Sequence, residues 1–291
     1  MPSAPATRQL SPLQWRRRAM NVLALLATAL AALLVLIPLF VIFAYLLYRG
    51  VGSLSWSFFT QPPAPVGETG GGMGNAIVGS GILLGLACVI GIPVGIGAGV
   101  FLSEFGHRRL GNIVRFTADV LNGVPSIVIG MAVYGLLVAH WHFSAYAGGV
   151  ALGIMMVPTI TRSTEEMLLM VPQSVREAAM GLGIPYWRIT ISIVLRTATS
   201  GIITGVMLAF ARVAGETAPL MFTALGNQFW SAKLDRPIAA LPLQIYTYAL
   251  SAYDDWHRQA WAAALVLILL ITTTVTIVRV VASRGLLRGS A

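Results

Sequence analysis

The sequence predicts an all-α membrane protein with six transmembrane helices and both termini in the cytoplasm. Three observations predict it. The chain of 291 residues is 57% hydrophobic and only 10% charged, whereas an ordinary soluble domain carries roughly 25% charged residues. Apolar runs recur along it, several of them near the roughly 20 residues that cross a bilayer core. The basic residues, finally, are shared unevenly between alternate loops, as the positive-inside bias requires.

The spans run from Val22 to Tyr48, Asn75 to Ser103, Arg115 to Ala139, Phe143 to Thr161, Thr197 to Leu225, and Ala260 to Val278. With the N-terminus inside, the inner segments hold Arg8, Arg16, Arg17, Arg18, Arg108, Arg109, Arg115, Arg162, Arg176, Arg188, Arg196, Arg279, Arg284 and Arg288. The outer segments hold Arg49, Lys233, Arg236 and Arg258, and Arg212 alone falls within a span. The net charge of +9 therefore reflects topology and not a nucleic-acid partner. "WRRRAM" before the first run resembles the start of a signal peptide. The charge-free stretch from Val22 to Tyr48 is too long for that, so it reads as an uncleaved anchor. The expected layout is a cytoplasmic tail at 1–21, a first helix at 22–48, an external loop at 49–73, a membrane domain at 74–282 and a cytoplasmic tail at 283–291.

The second span, "GSGILLGLACVIGIPVGIGAGV", places Gly81 and Gly85, then Gly91, Gly95 and Gly99, four apart. Small residues at this spacing let helix backbones approach, which is how helices associate in lipid. Pro93 and Pro125 are expected to bend their helices. Cys88, the single cysteine, excludes an internal disulfide and a cysteine-based metal site. The loop "PPAPVGETGGGMGN" reads as flexible. Its glycines are not a phosphate-binding loop, because no Gly-Lys-Ser/Thr follows, and no Walker-type sequence occurs anywhere. His140 and His142 flank Trp141 in a short external loop and suit the membrane interface better than a metal. Trp230, Tyr246, Tyr248, Tyr253, Trp256 and Trp261 read as an external aromatic layer.

Between the fourth and fifth spans lies "VPQSVREAAMGLGIPYWRITISIVLRTATSGI". Ser174 and Glu177 have the spacing of a capping box, Gly181 and Gly183 interrupt the helix, and Pro185 can start a second one. Taken alone this is an interfacial loop of two short helices. "EAAMGLG", nine residues and then "IVL", however, resembles the EAA loop of type I ABC importer permeases. Glu177, Ala178, Ala179, Gly183, Ile193 and Leu195 match that pattern, while Arg196 stands where a proline is usual. The resemblance implies the type I permease fold over 74–282. It also implies a coupling loop at about 171–196 that docks on a separate ATPase subunit, which would bind ATP and Mg, leaving this chain no cofactor of its own.

The fifth span contains "AFARVAGETAPL", with Arg212 and Glu216 where lipid penalises both. An arginine at a helix centre costs about 2.5–3.5 kcal/mol on the insertion scale. One reading pairs the two, four apart on one helix face, although base before acid is the weaker order. The other places both on a wet pathway, where a guanidinium fork suits an oxyanion. There Gly215 allows close approach to the backbone and Pro219 frees a carbonyl. "ARVAGETAPL", "FTAL" and "NQFW" resemble the phosphate-specific branch of these permeases, the PstA type. So do "DVLNGVPSIVIG" (119–130) and "VPTITRSTEEMLLMVP" (157–172). That resemblance implies import of inorganic phosphate through a multi-pass protein of the bacterial inner membrane. The implied partners are a homologous second permease subunit in a heterodimer, two ATPase subunits, an external phosphate-binding protein and membrane lipid, with no nucleic acid. Arg212, Glu216 and Thr217 fall on the implied pathway. Asp119 either joins them or anchors a helix end.

Three other functions compete. A gradient-driven transporter accounts for intramembrane charge but not for the EAA-like loop. A membrane enzyme lacks a nucleophile and base in one place. A permease for another oxyanion, such as sulfate or molybdate, differs only through the "AGETAPL" region.

Overall fold

The computed structural model describes the backbone of residues 12–288, apart from 66, 69, 107 and 108, and side chains as far as 282. Arg8 and Arg108, the side chains of Arg284 and Arg288, and the tail residues 1–11 and 289–291 lie outside the described residues. The chain divides into two compact units, 1–49 and 50–291. The described residues of the first belong to one helix, α1 (Pro12–Gly50), which begins before the span expected at Val22 and so includes the basic Arg16–Arg18 run. Its Thr28 hydroxyl donates back to the carbonyls of Ala24 and Leu25, which satisfies a polar side chain within an apolar helix. Arg49 lies over the rings of Tyr45 and Tyr48, 5.6 and 5.9 Å from their centroids.

The second unit opens with a 3₁₀ turn (Val51–Ser53) and α2 (Trp56–Thr60), capped by Ser55, whose hydroxyl accepts from the Phe58 amide. The loop that reads as flexible is tied down at its end. Gly72 donates to Pro62, Met73 to Phe58 and Gly74 to Gln61, all at 2.8–3.0 Å, and Phe58 and Met73 are buried. Glycines at positive φ (Gly67, Gly70 and Gly71) let the chain reverse sharply there.

The membrane helices come next. α3 (Gly74–Phe105) runs through Pro93 as one element, and α4 (Arg109–Gly123) returns from it. At Val124–Pro125 the path breaks by 105° into α5 (Ser126–Val133), which continues as a π-helical stretch (Tyr134–Val138). Pro125 therefore bends the path as expected, sharply enough to break the helix. α6 (Ala145–Leu169) is the most enclosed helix. Its first amides find partners outside it: Ser144 donates to Thr223, Ala145 to Arg236 and Tyr146 to Leu234.

α3 and α6 lie side by side in the same direction, and glycine sets their separation. A Cβ on Gly91, Gly95 or Gly99 would come within 2.8 Å of Met156, Ile160 or Thr164 side-chain atoms. Gly148 and Gly149 of α6 reciprocate against Leu83 and Leu86. Gly81 and Gly85 do not share this role. Nothing lies within 4 Å of where their Cβ atoms would be, and with Cys88 and Phe210 they line an apolar crevice.

After α6 come α7 (Gln173–Gly181) and α8 (Tyr186–Ile189), which continues through a π-helical stretch (Thr190–Val194) into α9 (Leu195–Ala214). The fifth apolar helix thus runs Tyr186–Ala214, not Thr197 to Leu225. α10 (Ala218–Thr223), α11 (Leu241–Ala249) and α12 (Asp254–Arg288) are the last helices among the described residues. α11 has no counterpart among the six expected spans, and around it sits a second core. There Tyr248 and Trp256 stack at 4.2 Å between ring centroids, both buried, so these two are core residues and not part of an interfacial layer. Trp230, Tyr246, Tyr253 and Trp261 remain exposed.

Among the described residues four helices are long and apolar enough to cross a membrane: Pro12–Ser53, Gly74–Phe105, Tyr186–Ala214 and Asp254–Ala282. The broken pair Arg109–Gly123 and Ser126–Val138 makes a fifth if it is one span.

Candidate functional site

The stretch holding Arg212 and Glu216 is not a continuous helix. α9 stops at Ala214, Gly215 and Glu216 turn the chain, and Thr217 leads into α10 with Pro219 in its first turn. The ending is physical: a proline at 219 cannot donate to the carbonyl of Gly215, and its ring clashes with a helical turn before it. The same-face pairing of Arg212 with Glu216 is therefore not formed. Among the described residues neither joins an ion pair, and Arg212 is exposed on the surface of this chain. Glu216 and Thr217 are half-buried, and the Thr217 hydroxyl reaches toward the Pro242 carbonyl at 3.5 Å. The site of a Gly215 Cβ is open.

The depth of Arg212 comes from helix packing. α9 runs antiparallel to α6, with Gly201 against Met167 and Gly205 against Ser163. Two turns further on, Arg212 stands roughly level with Met156, close to the middle of α6. Arg212 also lies in the last turn of α9, and a guanidinium exposed there, at the end of so apolar a helix, calls for water or a polar surface beside it.

Three of the quoted signature stretches meet in space. Gly130 of "DVLNGVPSIVIG" lies against the Pro219 backbone of "GETAPL", where a Cβ would come 2.6 Å from the Pro219 Cα. Asp119 of the first stretch pairs with Arg162 at 3.1 Å, and Arg162 also pairs with Glu165 at 2.9 Å. Glu165 is buried and takes Arg115 on its other oxygen at 2.6 Å, and Arg115 in turn donates to the carbonyls of Gly106 and Leu102. This network clasps α4 and the end of α3 to α6. Asp119 is thus brought to Arg162, with no bond to Arg212 or Glu216. "NQFW" is also built into the scaffold: Asn227 donates to Pro237, accepts from Asn75 through its carbonyl and from the Phe229 amide through its side chain.

The residues that resemble the EAA loop lie on α7 and the corner after it. Glu177 and Ala178 are exposed and Ala179 is buried. Gly183, at φ +76°, lets the helix close in a Schellman turn: Gly183 donates to Met180 and Ile184 to Ala179. The N-cap of α7 is Pro172 with no side-chain cap, so Ser174 and Glu177 form no capping box. Pro185 caps α8 from just outside it, and α8 is no separate short helix but the start of the long apolar one. Beneath this corner are residues that no local motif marks. Glu104, at the end of α3, accepts from Arg176 at 2.6 Å and from the Tyr186 hydroxyl.

The fold and the comparisons agree on the class. Residues 91–286 match the family model of the binding-protein-dependent transport system inner membrane component, and the chain belongs to that family. An inward-facing structure of the MetNI methionine ABC transporter superposes with a TM-score of 0.55 at 19% identity, covering 74% of this chain and 95% of that one. An amino acid ABC transporter structure gives 0.53 at 17% identity, over 73% and 92%. At those identities the likeness concerns the fold, which is that of an ABC importer permease.

Within the family, its curated relatives are more specific. The phosphate transport system permease protein PstA of Yersinia pestis is 46% identical over 92% of this chain and 90% of its own. That of Haemophilus influenzae is 47% identical over 78% and 80%, and PstA 1 of Mycobacterium tuberculosis is 36% identical over 94% and 92%. The chain is a PstA-family permease, a multi-pass inner-membrane component and a transport subunit.

Proposed function

We propose that this chain forms part of the translocation pathway for inorganic phosphate in an ATP-driven importer. The observation that carries the reading is Arg212, level with the middle of α6 and exposed beside the unwound turn Gly215–Thr217. A permanent cation there is tolerable only against water or a polar partner surface. A homologous second permease subunit supplies that surface, so the pathway lies between two chains and the assembly is a heterodimer. Arg212 provides positive potential for the anion, while Glu216 accepts a hydrogen bond from protonated phosphate. Thr217 lines the same turn, and Asp119 serves the helix scaffold.

The motive force comes from two copies of a separate ATPase, which bind ATP and Mg and dock on Glu177, Ala178, Ala179 and Gly183. An external phosphate-binding protein delivers the substrate. In this reading α6, 25 residues and about 37 Å long, is the sixth span despite Arg162, Glu165 and Glu166 in its second half. Both termini are cytoplasmic, the first helix occupies 22–48, and the permease domain covers 74–282 between an external loop at 49–73 and a tail at 283–291.

The experiment is phosphate uptake into vesicles holding the complete transporter and its binding protein, with the ATPase subunit present or omitted. Uptake that requires both ATP and the ATPase is expected. Uptake without the ATPase overturns the reading in favour of a gradient-driven carrier, and equal uptake of sulfate overturns its substrate.

A further inference from the structure

The side chain of Glu104 joins α3 to two elements distant from it in the chain, α7 and the foot of α8. It is the penultimate residue of α3, and its carboxylate is buried at 2% exposure. One oxygen accepts from Arg176 of α7, the residue just before Glu177. The other accepts from the hydroxyl of Tyr186, the first residue of the helix that runs unbroken to Ala214. Arg176 is itself buried, and its second nitrogen reaches the Leu168 carbonyl at the end of α6.

A joint at this place has a mechanical meaning. Between α7 and α8 the main chain passes through the Gly181–Gly183 corner, where nothing lies within 4 Å of either missing Cβ. That corner is held by the Gly183 and Ile184 backbone bonds and by Ile184 against the core, with no side chain at either glycine, so folding it under a push on α7 competes with moving the helices behind it. A buried carboxylate pinned to a guanidinium resists such folding, because separating the pair leaves an uncompensated charge away from water. The Tyr186 hydroxyl adds a charge-assisted hydrogen bond to the foot of the α8–α9 rod. From that foot to Arg212 the rod is about 39 Å long at the usual helical rise, and α3 is locked to α6 along its glycine face.

We propose that Glu104 is the positioning residue that makes α3 and the Tyr186–Ala214 rod follow the coupling helix when the ATPase moves it. The proposal rests on the reading of this chain as an ATP-driven permease. It assigns no substrate contact to Glu104. Its effect is carried through Arg176 and Tyr186, and it sets how much transport each hydrolysis produces.

The test uses the complete transporter in vesicles, with phosphate uptake and ATP hydrolysis measured on the same preparation. Two variants are compared with the unaltered chain. Glu104→Gln keeps the shape but removes the charge that holds Arg176. Tyr186→Phe deletes a single hydroxyl from a partly exposed ring and leaves the buried pair intact. Phosphate moved per ATP is expected to fall about tenfold in Glu104→Gln and about threefold in Tyr186→Phe, the scale of losing a charged hydrogen bond, while hydrolysis continues. A merely structural role would lower the yield of assembled complex and leave this ratio alone. If Glu104→Gln fails to assemble, Tyr186→Phe decides by itself. A ratio equal to that of the unaltered chain in every variant that assembles overturns the proposal. Uptake by the unaltered chain without the ATPase is a separate result, which removes the importer reading and the joint with it.

Discussion

Arg162 holds the Asp119 carboxylate at 3.1 Å while its other arm holds Glu165. One guanidinium therefore serves two acids of very different surroundings: the Asp119 side chain is 54% exposed and that of Glu165 only 3%. Exposed pairs contribute about 0–1 kcal/mol, whereas removing one partner of a buried pair costs about 3–5 kcal/mol. Asp119→Asn is expected to leave thermal stability within about 1 kcal/mol of the parent and phosphate uptake within a factor of about three. Glu165→Gln, which leaves Arg115 and Arg162 facing each other, is expected to lower the unfolding temperature of the detergent-purified complex sharply. Equal effects of the two substitutions would show that burial does not rank them.

Helix approach gives a second contrast. At Gly99 a Cβ would sit 2.5 Å from the Thr164 Cβ, whereas at Gly85 nothing lies within 4 Å. Gly99→Ala must push α3 from α6 and is expected to cost about 1–3 kcal/mol. Gly85→Ala is expected to cost nothing in this chain by itself. Thermal unfolding of both variants, side by side, checks it. A penalty at Gly85 as large as at Gly99 would mean that a second subunit or lipid fills the crevice.

Selectivity bears on Glu216. An ionised carboxylate accepts a hydrogen bond that hydrogen phosphate can donate and sulfate near neutral pH cannot. Glu216→Gln is expected to reduce the preference for phosphate over sulfate by about tenfold, the scale of one charge-assisted hydrogen bond. A sulfate-competition assay on the reconstituted variant measures this, and unchanged discrimination would remove that role from Glu216.

How far the sequence can be read depends on the range of the interactions involved. Apolar run length marks α1, α3 and α12, and the Glu177–Gly183 pattern locates the coupling corner, because both are local signals. The break at Gly215–Thr217 is half legible: Pro219 signals a freed carbonyl, yet it lies inside an apolar run that reads as one span to Leu225, which leaves a same-face pairing of Arg212 with Glu216 open. The span is likewise expected to start at Thr197 because Arg188 and Arg196 resemble loop charges, yet both lie within the helix running from Tyr186. Tyr248 and Trp256 carry the composition of an interfacial layer, and only the presence of α11 makes them core. Glu104 with Arg176, and Arg115 with Glu165, are 72 and 50 residues apart. No periodicity or spacing announces a pair of that kind.

Arg212 as a cation available to a passing anion is the claim on which the transport mechanism depends. Its most direct measurement is ATP-dependent phosphate uptake by vesicles carrying Arg212→Gln, with assembly and ATP hydrolysis checked on the same sample. Uptake is expected to fall about 10- to 100-fold, the scale of a lost hydrogen bond to a charged group, in a complex that still assembles. Uptake at the parental rate would contradict that mechanism.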